Sequence, residues 1–271
     1  MAVCLLACGA TAGRAADGAG QATAWATLHE GTRVRLVAAG SGKVKAAVEV
    51  QLAPGWKTYW RMPGDAGVPP QFDWQGSDNA ARIEVLYPAP HRLIEPAAET
   101  IGYKGSVVFP VEAVAKDGAK PIAMKLELEI GICKEICVPA QATLALEVPA
   151  AGTGALPDGV AAALASVPKP VEAADGKAPA LVKVEALLAG AEPRLVIDAR
   201  FPGDAAGADV FIEASDGIYV PMTKRLGPTP DGAQRFESRL SADTAKDLKG
   251  RPITLTLVGA EGATEARWAV P

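Results

Sequence analysis

Residues 125–147 hold two runs of alternating apolar and polar side chains, broken by three residues. On the first arm Leu126, Leu128, Ile130 and Ile132 share one face, and Lys125, Glu127, Glu129 and Cys133 share the other. On the second arm Leu144, Leu146 and Val148 face inward, while Thr143, Ala145 and Glu147 face outward with the parity of Cys137. A period of two is the pattern of a strand with one buried face. Two such arms joined by Lys134-Glu135-Ile136 predict an antiparallel hairpin with a three-residue loop. Cys133 and Cys137 then oppose one another and both project from the polar face.

That placement bears on chemistry. Opposing Cβ atoms lie roughly 4.5–5.5 Å apart, and a disulfide asks for about 3.5–4.5 Å. A bridge needs only slight adjustment. It closes a very short loop, so it removes little chain entropy and is a poor staple. Proximity, outward aim and low structural value favour a redox pair. Two alternatives stay open, an inert hairpin disulfide in an adaptor protein and a copper(I) site built from the same thiols. Zinc wants four ligands, and His29 and His91 are not at ligand spacing, so zinc is not expected, and the redox reading itself asks for no metal and no other cofactor. Two outward cysteines without an evident His or Asn partner do not make a protease nucleophile.

The rest of the chain predicts an all-β protein, two immunoglobulin-like antiparallel β-sandwich domains in tandem. Strands are expected at Thr32–Ala38, Val44–Leu52, Trp56–Arg61, Arg82–Tyr87, Ser106–Val114, Ile122–Cys133 and Cys137–Val148. A second set follows at Leu181–Leu188, Arg194–Arg200, Asp209–Ala214, Arg235–Leu240, Pro252–Val258 and Thr264–Val270, with a helical turn at Ala242–Leu248. The expected divisions are a first domain over 25–149, a linker over 150–178 with a short helix near Val160–Val167, and a second domain over 179–271. The second domain has no cysteine or histidine. A net charge of -4 and a pI near 5.4 argue against a nucleic-acid partner.

The first ten residues are small and apolar, Arg14-Ala15-Ala16 follows, and residues 1–16 read as an export segment, with cleavage near Ala15 or Ala16. The run Leu5-Leu6-Ala7-Cys8 also fits a lipoprotein signal, in which Cys8 would carry the lipid. No later segment has the roughly 18 apolar residues of a membrane helix. The expected location is the periplasm, where disulfides form and exchange.

Four separated segments carry a family resemblance. They are Leu52-Ala-Pro-Gly-Trp-Lys-Thr-Tyr-Trp60 with Arg61 and Pro63-Gly64-Asp65, then Tyr87-Pro-Ala-Pro-His91, then Ile101-Gly-Tyr-Lys-Gly-Ser-Val-Val-Phe-Pro110, and finally Cys133-Lys-Glu-Ile-Cys137-Val-Pro139. In this order they resemble the N-terminal periplasmic domain of the thiol:disulfide interchange protein DsbD, in its suppressor-of-copper-sensitivity branch. The resemblance covers about residues 30–148. It implies an immunoglobulin-like sandwich whose cysteine pair passes reducing equivalents between thioredoxin-fold periplasmic proteins and a membrane-embedded electron donor. It assigns the mixed disulfide to Cys137 and the resolving thiol to Cys133. It places a cap over the pair at Glu99–Tyr103, with Ile101 and Tyr103 as covers, although no Phe occupies that segment. Tyr59 and Trp60 are candidate walls of the site. Lys134 is expected to lower a thiol pKa, and Glu135 and Glu99 to raise it.

Overall fold

The computed structural model describes residues 22–95, 98–152, 154–171 and 177–271. The expected export segment, with Cys4 and Cys8, lies outside these residues, as does part of the expected linker. The chain is all-β, as its alternation predicts, with two short helices among the described residues.

Two sheets make the first sandwich. One is five-stranded, in the order β1 (Ala26–His29), β2 (Thr32–Ser41), β3 (Val44–Gln51), β9 (Ser106–Ala115) and β6 (Ala80–Val85). The other runs β11 (Cys137–Val148), β10 (Ile122–Cys133), β4 (Lys57–Gly64), β8 (Glu99–Lys104) and β7 (His91–Ile94), with β5 (Gln71–Asp73) also pairing β10. The inward faces close over Val34, Leu36, Val48, Val50, Phe109, Leu126, Leu128 and Ile132, all buried. Aromatic rings pack edge to face at the centre, Phe109 meeting Phe72, Tyr87 and Tyr103 at centroid distances of 5.3, 5.4 and 5.6 Å, a favoured geometry for ring pairs.

The second sandwich has two four-stranded sheets. One orders β12 (Lys169–Pro170), β19 (Gly262–Ala269), β18 (Pro252–Gly259) and β15 (Asp209–Ala214). The other orders β13 (Ala180–Leu187), β14 (Arg194–Arg200), β17 (Gln234–Arg239) and β16 (Lys224–Pro228). Its core is separate and gathers Leu195, Ile197, Val210, Phe236, Leu248, Leu255 and Leu257. Helix α2 (Ala242–Leu248) closes one end, and its first turn is capped by Ser241, whose hydroxyl accepts from the Thr244 amide at 3.0 Å.

The stretch expected to be a linker is engaged at both ends. Helix α1 (Asp158–Ser166) buries Val160 against Ala39, Val44 and Ala47 of the first sandwich. Three residues on, β12 pairs in parallel with β19 of the second. Its alanine-rich sequence allows a helix with a narrow apolar contact, and that contact pins it to the sheet rather than leaving it free.

Candidate thiol–disulfide site

The hairpin forms in the predicted register. Every residue of β10 pairs with β11, from Ile122 opposite Val148 to Cys133 opposite Cys137. The two sulfurs are bonded, and the Cα atoms lie 4.1 Å apart. Both cysteines lie on the parity of Glu127 and Glu129. The two environments differ, however. Cys137 is exposed, but Cys133 is 1% exposed. The expectation that both project freely fails for Cys133, because β10 pairs with β4 at its end and the β4 side chains on that face cover the sulfur.

Cys133 pairs with Lys57 and Ile132 with Thr58. Alternation along β4 therefore puts Lys57 and Tyr59 on the disulfide's face and Thr58 and Trp60 on the other. The Tyr59 hydroxyl donates to Cys133 Sγ at 2.8 Å and lies 3.3 Å from Cys137 Sγ. Tyr59 is buried, and burial first, then the nearby Glu95 carboxylate, push its phenol above the usual range. The hydroxyl thus stays protonated and able to donate at neutral pH. Behind the ring, the buried Lys57 ammonium pairs with Glu95 and lies 3.4 Å from the Thr100 hydroxyl. It sits 5.6 Å from the Tyr59 ring centroid. Glu95 has no strand pattern to announce it. It follows β7, and only the fold brings it to Lys57.

The cover of the disulfide is not where the resemblance placed it. On β8, Gly102 pairs with Tyr59 and Tyr103 with Thr58, so Ile101 and Tyr103 share the core face, opposite the sulfurs. Both are buried in the first core, and the Tyr103 hydroxyl donates to the Pro88 carbonyl at 2.8 Å. Burial holds the Tyr103 phenol well above its ordinary range. The residue of that segment that matters to the site is the glycine between them. A Cβ on Gly102 would stand 2.0 Å from the Thr58 carbonyl oxygen and 2.9 Å from Tyr59 Cα. Glycine lets β8 press against β4 just where Tyr59 leaves the sheet.

Tyr59 itself is what lies on the Cys133 sulfur, and over Tyr59 runs the loop from Pro63 to Pro70. At Gly67 a Cβ would meet Pro63 at 2.4 Å and the Tyr59 ring at 2.7 Å, and at Gly131 it would meet Val68 at 3.2 Å. The loop therefore lies on Tyr59 and on the strand carrying Cys133. Its Pro and Gly residues marked a turn in the sequence without saying what the turn covers.

The remaining candidates scatter. Trp60 is fully buried on the core face, so it does not wall the site. Glu99 is held by Arg92 at 2.8 Å on the core-side parity, away from the sulfurs. Lys134 folds over the turn at Gly55, where a Cβ would meet its stem at 3.2 Å. Glu135 is exposed, and Ile136 at the hairpin tip is 71% exposed.

Residues 26–149 match the family model described as thiol:disulfide interchange protein DsbD, N-terminal. This segment is a DsbD N-terminal-like domain. The chain is also similar to the solved N-terminal periplasmic domain of ScsB from Proteus mirabilis, at 23% identity and a TM-score of 0.72, covering 93% of this chain and 98% of that one. The likeness extends across both sandwiches, so the second belongs to a shared architecture. A search of curated proteins gave no match. Among the described residues no helix is long and apolar enough to cross a membrane.

Proposed function

We propose that this DsbD N-terminal-like domain is a periplasmic thiol:disulfide exchange module that works through Cys133 and Cys137. The observation that carries this reading is the asymmetry of the pair, one sulfur open to solvent and the other buried under a phenol hydroxyl. A partner thiolate attacks Cys137 Sγ, the Cys133–Cys137 bond breaks, and Cys133 leaves as a thiolate. Tyr59 donates to that sulfur already, and a donor at a developing anion lowers the barrier. A second thiolate of the partner then attacks the partner's own sulfur in the mixed disulfide and releases Cys137. The partner leaves with a disulfide, and two electrons and two protons remain on the module. In the opposite direction the Cys133 thiolate attacks Cys137 Sγ of a mixed disulfide and frees the partner as a thiol. Thioredoxin-fold proteins are the fitting partners, with a membrane-embedded donor of reducing equivalents. Lipid anchoring through Cys8 would keep the module at that membrane.

Trapping tests the reading. A Cys133→Ala variant has no resolving thiol and should accumulate mixed disulfides through Cys137 with thioredoxin-fold proteins of a periplasmic extract. Trapping by Cys137→Ala alone would reverse the roles. A reduction potential below about -300 mV, the range of structural bridges, would remove the exchange role. Copper(I) binding by the reduced protein without trapped partners would favour the metal alternative.

A further inference from the structure

The strand that sets Tyr59 under the sulfurs does not end in solvent. Between Tyr59 and Gly64 its register against β8 moves from Gly102 to Thr100, so β4 carries extra residues and bulges. The bulge is docked on the second sandwich residue by residue. Trp60 packs on Phe211, with ring centroids 5.8 Å apart. Arg61 forks onto Glu213 at 2.6 and 2.8 Å and also pairs with Glu265. Gly64, at φ +81°, lies so close to the second sandwich that a Cβ there would stand 3.2 Å from Met222 Sδ. Asp65 accepts a hydrogen bond from the Tyr219 hydroxyl. Directly after Asp65 the chain turns back, with Gly67 against the Tyr59 ring and Val68 against Gly131. A second tie lies nearby, where Arg92 forks onto Asp209 at 2.6 and 2.7 Å.

The layer that lies on Tyr59, and through Tyr59 on Cys133, is therefore one short segment with an anchor at its root. Nothing in its composition would hold it down alone, since Ala66 and Gly67 offer little to bury and Val68 is 53% exposed. From this geometry we infer that the second sandwich positions the cover loop and so confines exchange to Cys137. The inference rests on the exchange role proposed above. It assigns Tyr219 and Met222 as positioning residues that act on Cys133 through Asp65 and Gly64, without touching either sulfur. It also gives a task to a domain that has no cysteine.

Regioselective alkylation tests it on the full chain. In the reduced protein each thiolate displaces iodide from iodoacetamide and forms a thioether. Trypsin cuts after Lys134, between the two cysteines, so mass spectrometry reads each site separately. The parent should label at Cys137 well ahead of Cys133. Tyr219→Phe removes only the hydroxyl and should raise Cys133 labelling relative to Cys137 roughly fivefold, the change expected when one hydrogen bond is lost. Adding Met222→Ala should raise it further, with the melting temperature of Tyr219→Phe unchanged. An unchanged ratio in both variants, each folded like the parent, overturns the inference. Failure of the exchange role is read separately, as a parent disulfide that dithiothreitol does not reduce at neutral pH.

Discussion

The two sandwiches use the same alternation of strands but differ in what their outward faces carry. In the first, the outer side of one sheet holds an ammonium, a phenol and a disulfide in contact. Lys57 and Tyr59 are nearly covered, and glycines at 102 and 131 let neighbouring strands and loops close over them. In the second, the outward charges pair across and along strands, with each arginine in reach of water. Arg235 forks onto Asp198 at 2.7 Å with its own side chain 43% exposed, and Arg239 meets Glu237 at 3.1 Å with 79% exposure. The difference teaches that polar side chains on the outer face of a sandwich come to hold one another where that face is sealed rather than solvated. Buried polar groups then have to satisfy one another.

The comparison breaks most visibly at glycine. Gly102→Ala drives a methyl into the Thr58 carbonyl and should cost 3 kcal/mol or about that, by the usual price of overpacking against backbone. Gly207 in the second sandwich has open space around it, and Gly207→Ala should stay within about 1 kcal/mol of the parent. Urea unfolding measures both, and equal effects would show that the closeness of β4 and β8 is not special.

Charge sharpens the same contrast with a smaller effect. Glu95→Gln leaves the Lys57 ammonium, 5% exposed, without its counter-charge. The expected loss is about 2 kcal/mol, below that of a fully buried pair because Glu95 is itself 32% exposed. Asp198→Asn leaves Arg235 free to turn toward water and should cost no more than about 1 kcal/mol. If the two substitutions cost the same in urea unfolding, the first face is no better sealed than the second.

These contrasts track what the sequence made legible. The hairpin ends fell at Cys133 and Cys137 because strict alternation states both the face and the length of a strand. The strands Arg194–Arg200 and Asp209–Ala214 were legible on another ground, as short apolar runs, Leu195-Val-Ile197 and Val210-Phe-Ile212, bounded by charged residues. Strands β1, β5, β7, β8, β12 and β16 went unread, being short or broken by Gly and Pro, with too few residues to show a period. Of the residues the structure gathers at the disulfide, the sequence had singled out Cys133, Cys137 and Tyr59. Ile101 and Tyr103 came as covers from the resemblance alone, and the pairing of β8 with β4 turns both into the core. Glu95 and Val68 lie in loops and reach the site through tertiary contacts alone.

Tyr59→Phe asks whether the phenol acts in exchange or only fills space. The ring stays, so packing is kept, and only the donor to Cys133 is lost. A hydrogen bond to a charged group contributes roughly 1.5–3 kcal/mol, so losing it from a departing thiolate should slow reduction by dithiothreitol about tenfold. The reduced form should also show its Cys133 thiolate at higher pH, followed by thiolate absorbance. An unchanged rate would reduce Tyr59 to a wall.

The smallest effect concerns pH. Three of the four tyrosines, Tyr59, Tyr87 and Tyr103, lie in the first sandwich, and burial raises the phenol of each. Tyr87 is pushed up to about 12, by burial first, with the Glu213 carboxylate adding to it and the Arg61 guanidinium opposing. A folded-state value above the unfolded one, near 10, means that the folded chain keeps a proton the unfolded chain releases. The stability this gives is complete below pH 10 and drains away as pH rises from 10 toward 12. At pH 11 the loss from Tyr87 should be roughly 1 kcal/mol. Tyr87→Phe has no proton to release in either state. Its melting temperature, measured against the parent from pH 8 to pH 11, should fall less steeply above pH 10. Parallel curves would mean that Tyr87 ionises alike in both states, and that its end of the first sandwich is solvated as freely as the outer face of the second.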